Sequence, residues 1–243
     1  MKWYNSIILI LVIVLLVSIG VLVSCGKDNQ ADMEEQSSDM ESVIDETGKN
    51  EDYEKKSLGA RTFIIPTPVW VIGSYDKEGK PNVMTAAWVG ICCSRPPCVT
   101  VSLRKATYTF GNIMEREAFS VNIASESFAK EVAYFGSVSG RNVDKFLTTE
   151  LTPIKSDLVD APYIKEFPLV IECKLLQTIE LGLHTMFIGE IMDVKADKFI
   201  LGENGRPDMV KLKPFVFAPT AGFYRTGDHL GDIDSLADEI KRD

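Results

Sequence analysis

Histidine is nearly missing from this chain: His184 and His229 are the only two among 243 residues. The five cysteines, Cys25, Cys92, Cys93, Cys98 and Cys173, show no metal-ligand spacing. Together these shortages argue against a zinc site. Four sequence patterns are also missing: GxSxG, a P-loop, HExxH and GxGxxG. A nicotinamide, if used, is therefore not held on a Rossmann unit. Basic excess is lacking as well. Residues 58–243 carry 21 basic and 24 acidic side chains, net −3, which speaks against nucleic acid as a partner.

What is present begins with an apolar run. Lys2 precedes Ile7 to Val17, and Leu22-Val23-Ser24-Cys25-Gly26 follows. Small residues before a cysteine at the end of an apolar segment make a bacterial lipoprotein signal pattern. It predicts a signal segment over 1–25, lipid on Cys25, and a domain anchored to the cell membrane outside the cytoplasm. The same run is nearly long enough for an uncleaved transmembrane anchor. Either reading places the domain outside, since the positive end comes first and no second apolar span exists.

Composition then changes. Residues 26–57 hold eleven acidic and four basic side chains and no Phe, Trp, Leu or Cys. Such a segment buries too little apolar surface to offset its ordering entropy, so 26–60 reads as a disordered acidic tether. Its root-mean-square reach is about 30 Å. An acidic docking arm for a partner is the alternative.

The folded part is expected over 61–232, with 233–243 a C-terminal helix and tail. Strands are predicted at Val69–Tyr75, Asn82–Cys93, Cys98–Leu103, Ala118–Ile123, Pro168–Leu175 and Thr185–Val194, with Val216–Ala218 closing the sheet. Asp76 to Pro81 reads as a hairpin turn. Helical stretches are expected at Thr107–Glu117, with Phe110, Ile113 and Met114 on one face, at Glu126–Phe135, and at Val143–Leu147. The pattern is mainly β: an antiparallel barrel with short peripheral helices. Cys92 and Cys93 are adjacent in an apolar run, which predicts buried thiols on opposite faces. A bridge from either to Cys98 is the second reading.

Chemistry must come from strand ends and turns. Thr85 with Ala86 and Ala87 leaves backbone N–H groups open to an anion. Ser102, Arg104, Thr107 and Thr109 add hydroxyls and a guanidinium, a set able to hold a phosphate. The alternative is that Thr85 and Ser102 merely satisfy strand edges and Arg104 is solvated.

The ordered segments Thr67–Ile72, Pro81–Trp88, Pro96-Pro97, Val101–Thr109, Asn112-Ile113, Phe119–Asn122, Ser139–Phe146 and His184–Ile191 resemble the flavin reductase-like domain family, and within it the flavoredoxin group. The resemblance covers about residues 62–230. It implies an FMN-binding split β-barrel of Greek-key type, a homodimer with flavin near the subunit interface, and FMN as the carrier of the redox chemistry. It implies that Met84, Thr85, Ala86, Ala87 and Trp88 line the isoalloxazine and ribityl chain. Ser102, Leu103, Arg104, Thr107 and Thr109 would belong to the phosphate end, with Asn122 beside it. Ser139 to Lys145 would form a loop over the flavin, with Lys145 a charge partner, and His184 would approach the flavin face or the reductant site as the catalytic candidate. Either NAD(P)H or a membrane or lipoprotein redox partner would supply electrons.

Overall fold

The computed structural model describes residues 55–219 and 221–241. The predicted signal segment, Cys25 and the tether up to residue 54 lie outside the described residues. Strands are β1 (Thr67–Pro68), β2 (Trp70–Tyr75), β3 (Pro81–Ala86), β4 (Val89–Ser94), β5 (Pro97–Arg104), β6 (Ala118–Ile123), β7 (Pro153–Lys155), β8 (Pro162–Ile164), β9 (Leu169–Leu181), β10 (His184–Ala196), β11 (Phe215–Ala218) and β12 (Gly222–Arg225). Helices are α1 (Tyr108–Arg116), α2 (Ala129–Ser137), α3 (Lys145–Thr149), α4 (Met209–Leu212) and α5 (Ile233–Lys241). The chain is mainly β, and its pairings are antiparallel, as expected.

Seven strands form one sheet in the order β3-β2-β6-β9-β10-β5-β4. The two outermost strands are consecutive in sequence, separated only by Ala87 and Trp88. The sheet therefore curls until its edges share one bend, the split-barrel form. At that bend the Ser102 N–H donates to the Trp88 carbonyl at 2.9 Å. This corrects the sequence reading of one strand over Asn82–Cys93: the apolar run spans two strands at opposite edges. Val216–Ala218 likewise does not close the main sheet. It belongs to β11, paired with β1 and β12 in a separate three-stranded sheet.

Local chemistry fixes the turns. Between β2 and β3 the Asp76 carboxylate accepts the N–H groups of Glu78 and Lys80, and Gly79 takes φ +82°. Thr107 caps α1 by accepting the Phe110 N–H at 3.3 Å.

β2 is buried on both faces, which explains why Trp70 to Ile72 are apolar without alternation. Ile72 faces the barrel interior with Val99, Val101, Phe119 and Phe187. Val71 faces a second core with Val83, Phe135, Phe146 and Ile164, beneath α2, α3 and β8. Within α1, Ile113 enters the interior and Phe110 packs against it, but Met114 is exposed.

Candidate functional site

A cavity of ≈ 290 Å³ opens where β3, the first turn of α1, the segment after α2 and the start of α3 meet. None of its fourteen lining residues is acidic. That is notable in a chain with 35 acidic side chains against 26 basic ones. Thr107, Tyr108 and Thr109 line it, so the N-terminus of a nine-residue helix faces the space. The first N–H groups of a helix have no intrahelical acceptor, and the helix dipole favours an anion there.

Lys145 lines the cavity and is only 4% exposed. Its Nζ donates to the carbonyls of Val83 at 2.8 Å and Phe135 at 2.7 Å. Among the described residues no carboxylate pairs with it. An ammonium has three donors, so these bonds leave one. Burial pulls its pKa down to about 8, so the group still carries charge at neutral pH. The neighbouring Asp144 is engaged elsewhere. It caps α3 through the Leu147 N–H, which holds its carboxyl below the usual range, and it pairs with Lys80 at 3.3 Å.

Arg141 completes the basic wall. Its Nη1 donates to the Ala106 carbonyl at 2.8 Å, and its guanidinium lies 5.4 Å from the Tyr108 ring centroid. The Tyr108 hydroxyl donates to Asp76 at 2.7 Å. Burial and that bond push the phenol up to about 12, so it titrates far above neutrality. Gly140 closes the loop over Asn82. A Cβ there would strike the Asn82 amide oxygen and the Tyr108 ring.

The structure brings together Met84, Thr107, Thr109, Ser139 and Lys145 from the predicted set. Thr109 is buried and accepts the Asn82 amide N–H at 3.0 Å. The other predicted residues lie elsewhere. The Thr85 hydroxyl donates to the Val132 carbonyl and so pins α2 to β3. Ala86 and Leu103 are barrel core. Ala87 and Trp88 form the bend, and the Trp88 ring lies 4.4 Å from that of His184. Arg104 is opposite His184 in the β5–β10 ladder and is exposed. Ser102 sits two residues before it. These residues form a second group beyond the Arg104–Thr107 turn.

Asn122 does not border the cavity. It is wholly buried, donating to Val71 O and Ser120 Oγ and accepting from Ile164 N–H. Its whole amide is consumed in joining β6 to β2 and β8. Sequence reasoning missed Asn82, Tyr108 and Gly136 as site residues, and it had Gly140 and Arg141 only as part of the Ser139–Lys145 loop. Residues 136–145, polar, glycine-bearing and basic, held the available signal.

A family profile described as "Flavin reductase like domain" matches residues 61–213. The chain belongs to the flavin reductase-like domain family. Flavoredoxin of Desulfovibrio vulgaris (Miyazaki F) is 50% identical, with a TM-score of 0.72, over 76% of this chain and all of that one. Flavoredoxin from Methanosarcina acetivorans is 31% identical, with a TM-score of 0.71, over 77% of this chain and 99% of its own. An NADPH-flavin oxidoreductase of Streptomyces viridifaciens is 25% identical over 63% of this chain and 75% of its own. This flavin reductase-like chain thus carries the cavity on the fold it shares with flavoredoxins.

Proposed function

We propose that the chain binds FMN with its phosphate in this cavity and acts as a flavin reductase-like oxidoreductase through the bound flavin. One observation carries the reading: an acid-free cavity where a buried, carboxylate-free ammonium meets a helix N-terminus. That donor set fits a phosphate ester, which would take the third Lys145 N–H, the N–H groups at the start of α1 and the Thr107 and Ser139 side of the wall. Bound flavin would supply the electron or hydride chemistry. The chain's own residues bind, orient and shield. Met84 lines the cavity and packs against the barrel core, shortly before the Ala87-Trp88 bend, where the Trp88 ring meets His184 at the start of β10. That bend is where the ring end is assigned, with His184 at its edge.

The test is a titration of the flavin-free chain with FMN and with riboflavin. FMN should bind about 10–100-fold more tightly, the effect of a charge-assisted hydrogen bond of about 1.5–3 kcal/mol. Equal affinities would remove the phosphate site.

A second reading makes the chain an electron relay fed by a membrane or lipoprotein partner. Likeness to flavoredoxins and the Leu22–Cys25 pattern support it. Binding of flavin without turnover is the third. Anaerobic titration with NADH, NADPH and a chemical reductant separates them. A reductase is reduced by nicotinamide; a relay and a mere binder are reduced only by the chemical donor, and of these two only the relay then passes the electrons to an added acceptor at a useful rate.

Membrane tethering rests on the sequence pattern. Cys25→Ala should abolish lipid labelling, and equal labelling of parent and variant would sink it. A homodimer is supported by an exposed apolar patch at the flavin-ring end. Trp88, Leu181 and Leu183 flank His184 there, and Trp88 is 46% exposed. Sedimentation should show two copies, and dilution should loosen FMN.

A further inference from the structure

We propose that Cys93 and Cys98 are a reversible dithiol–disulfide pair, a redox site apart from the flavin cavity. The hairpin from β4 to β5 turns through Arg95 and Pro96 alone, between Ser94 and Pro97. One step back along the ladder, Cys93 lies directly opposite Cys98. Opposed residues of an antiparallel pair project to the same face, with Cα atoms about 4.5 or 5.5 Å apart according to ladder position. A disulfide spans about 4.4–6.8 Å. Either ladder position therefore allows the bond with little backbone movement.

Cys92 is the reason the sequence hides this pair. The ladder slips by one residue between Ile91 and Cys93, which leaves Cys92 without an opposite residue. Strict alternation fails there, so adjacent cysteines no longer imply opposite, buried faces. Cys92 and Cys93 are in fact both exposed, which corrects the expectation of buried thiols; Cys98 and Cys173 are buried. Cys173 faces the barrel interior, opposite Phe119 and Ile191.

Accessibility sets the order of chemistry. The exposed Cys93 thiolate attacks one sulfur of a low-molecular-weight disulfide and expels a thiolate, forming a mixed disulfide. Cys98 then gives up its proton and attacks the Cys93 sulfur, expelling the second thiolate. Two protein thiols are oxidised, one external disulfide is reduced to two thiols, and the two protons pass to those leaving groups. Burial pushes the Cys98 thiol up, so the second step is the slower one.

The experiment uses the full chain, reduced and then exposed to glutathione disulfide. Free thiols are alkylated, the protein is reduced again, and newly released thiols receive a second label. Pro96 blocks tryptic cleavage at Arg95, so all three thiols share one peptide. The second label should fall on Cys93 and Cys98 only, and dithiothreitol should reverse the oxidation. Cys92→Ser should keep the bridge and Cys93→Ser should lose it. Full first labelling of all three thiols in the oxidised parent would overturn the proposal. So would second label on Cys92 with Cys98, or an unchanged bridge in Cys93→Ser.

Discussion

Lys145 and Lys195 both leave bulk water, Lys145 almost wholly and Lys195 in part, but only Lys195 meets carboxylates. On the outer face of β9 and β10, Lys195 pairs with the fully buried Glu172 and with Asp193 at 2.9 Å. Burial alone would lower its pKa, yet hydrogen bonds to Asp193 and Glu172 hold it above the ordinary lysine value. Lys145 has two carbonyls and no anion, and burial draws it down to about 8. A paired lysine is complete within the fold. An unpaired one beside a cavity is complete only when a ligand brings the negative charge.

Removing Lys195 should give the largest effect in stability. Lys195→Met leaves the Glu172 charge buried and uncompensated, and its second carboxylate oxygen already lacks a partner. Breaking a buried pair from one side costs about 3–5 kcal/mol. The half-exposed lysine places this case near the lower end. The double variant Glu172→Gln with Lys195→Met should recover much of the loss in a urea melt. FMN affinity should be unchanged in both. A melt that does not shift would show the pair to be idle.

The same change at Lys145 should reverse the pattern. Lys145→Met should weaken FMN by about 10–100-fold. The flavin-free fold should be as stable or more so, because a costly buried charge is gone. Riboflavin affinity should hardly move. Loss of fold stability with no loss of FMN affinity would make Lys145 a structural residue like Lys195.

How the two lysines came to differ was only partly legible in the sequence. Strand content, the Asp76–Pro81 turn and α1 follow from β-branched runs, turn residues and a threonine cap. Lys145 was found by resemblance. Its lack of a carboxylate depends on Asp144 turning to Lys80 and the α3 N-terminus, which spacing does not reveal. Asn122 misled because a buried amide on a strand reads alike whether it serves a ligand or, as here, two backbone groups and a serine hydroxyl. The run Asn82–Cys93 misled because a bend at Ala87-Trp88 and a bulge at Cys92 leave no proline or glycine signal of their own.

Glycine substitutions sharpen the contrast at a smaller scale. Gly140→Ala puts a Cβ against the Asn82 amide oxygen and Tyr108, so the cavity loop must shift. Gly73→Ala meets the Pro162 carbonyl and Ser120 on the sheet's other side. Each overpacking should cost about 1–3 kcal/mol. Only Gly140→Ala should also weaken FMN. If Gly73→Ala weakens FMN as much, the cavity is not separable from the sheet behind it.

The smallest effect near neutrality is the pH response of Lys145. Its folded pKa lies near 8, against an ordinary value of 10.5. Between those values the unfolded chain binds more protons than the flavin-free folded one, so fold stability should rise with pH across that window. FMN binding should run the other way. The phosphate needs the ammonium, so affinity should fall above about pH 8, by at most about tenfold per unit. Lys145→Met should flatten both slopes. Lys195 gives the opposite sign. Its folded pKa is raised, so its contribution is full below the ordinary lysine value and is lost only as pH climbs through the higher folded one. Paired urea melts and FMN titrations at about pH 7.5, 8.5 and 9.5 read both Lys145 slopes, while the Lys195 contribution stays level across that range. An FMN affinity that stays level in the parent across this range would mean that Lys145 does not meet the phosphate, whatever its variant does to affinity at neutral pH.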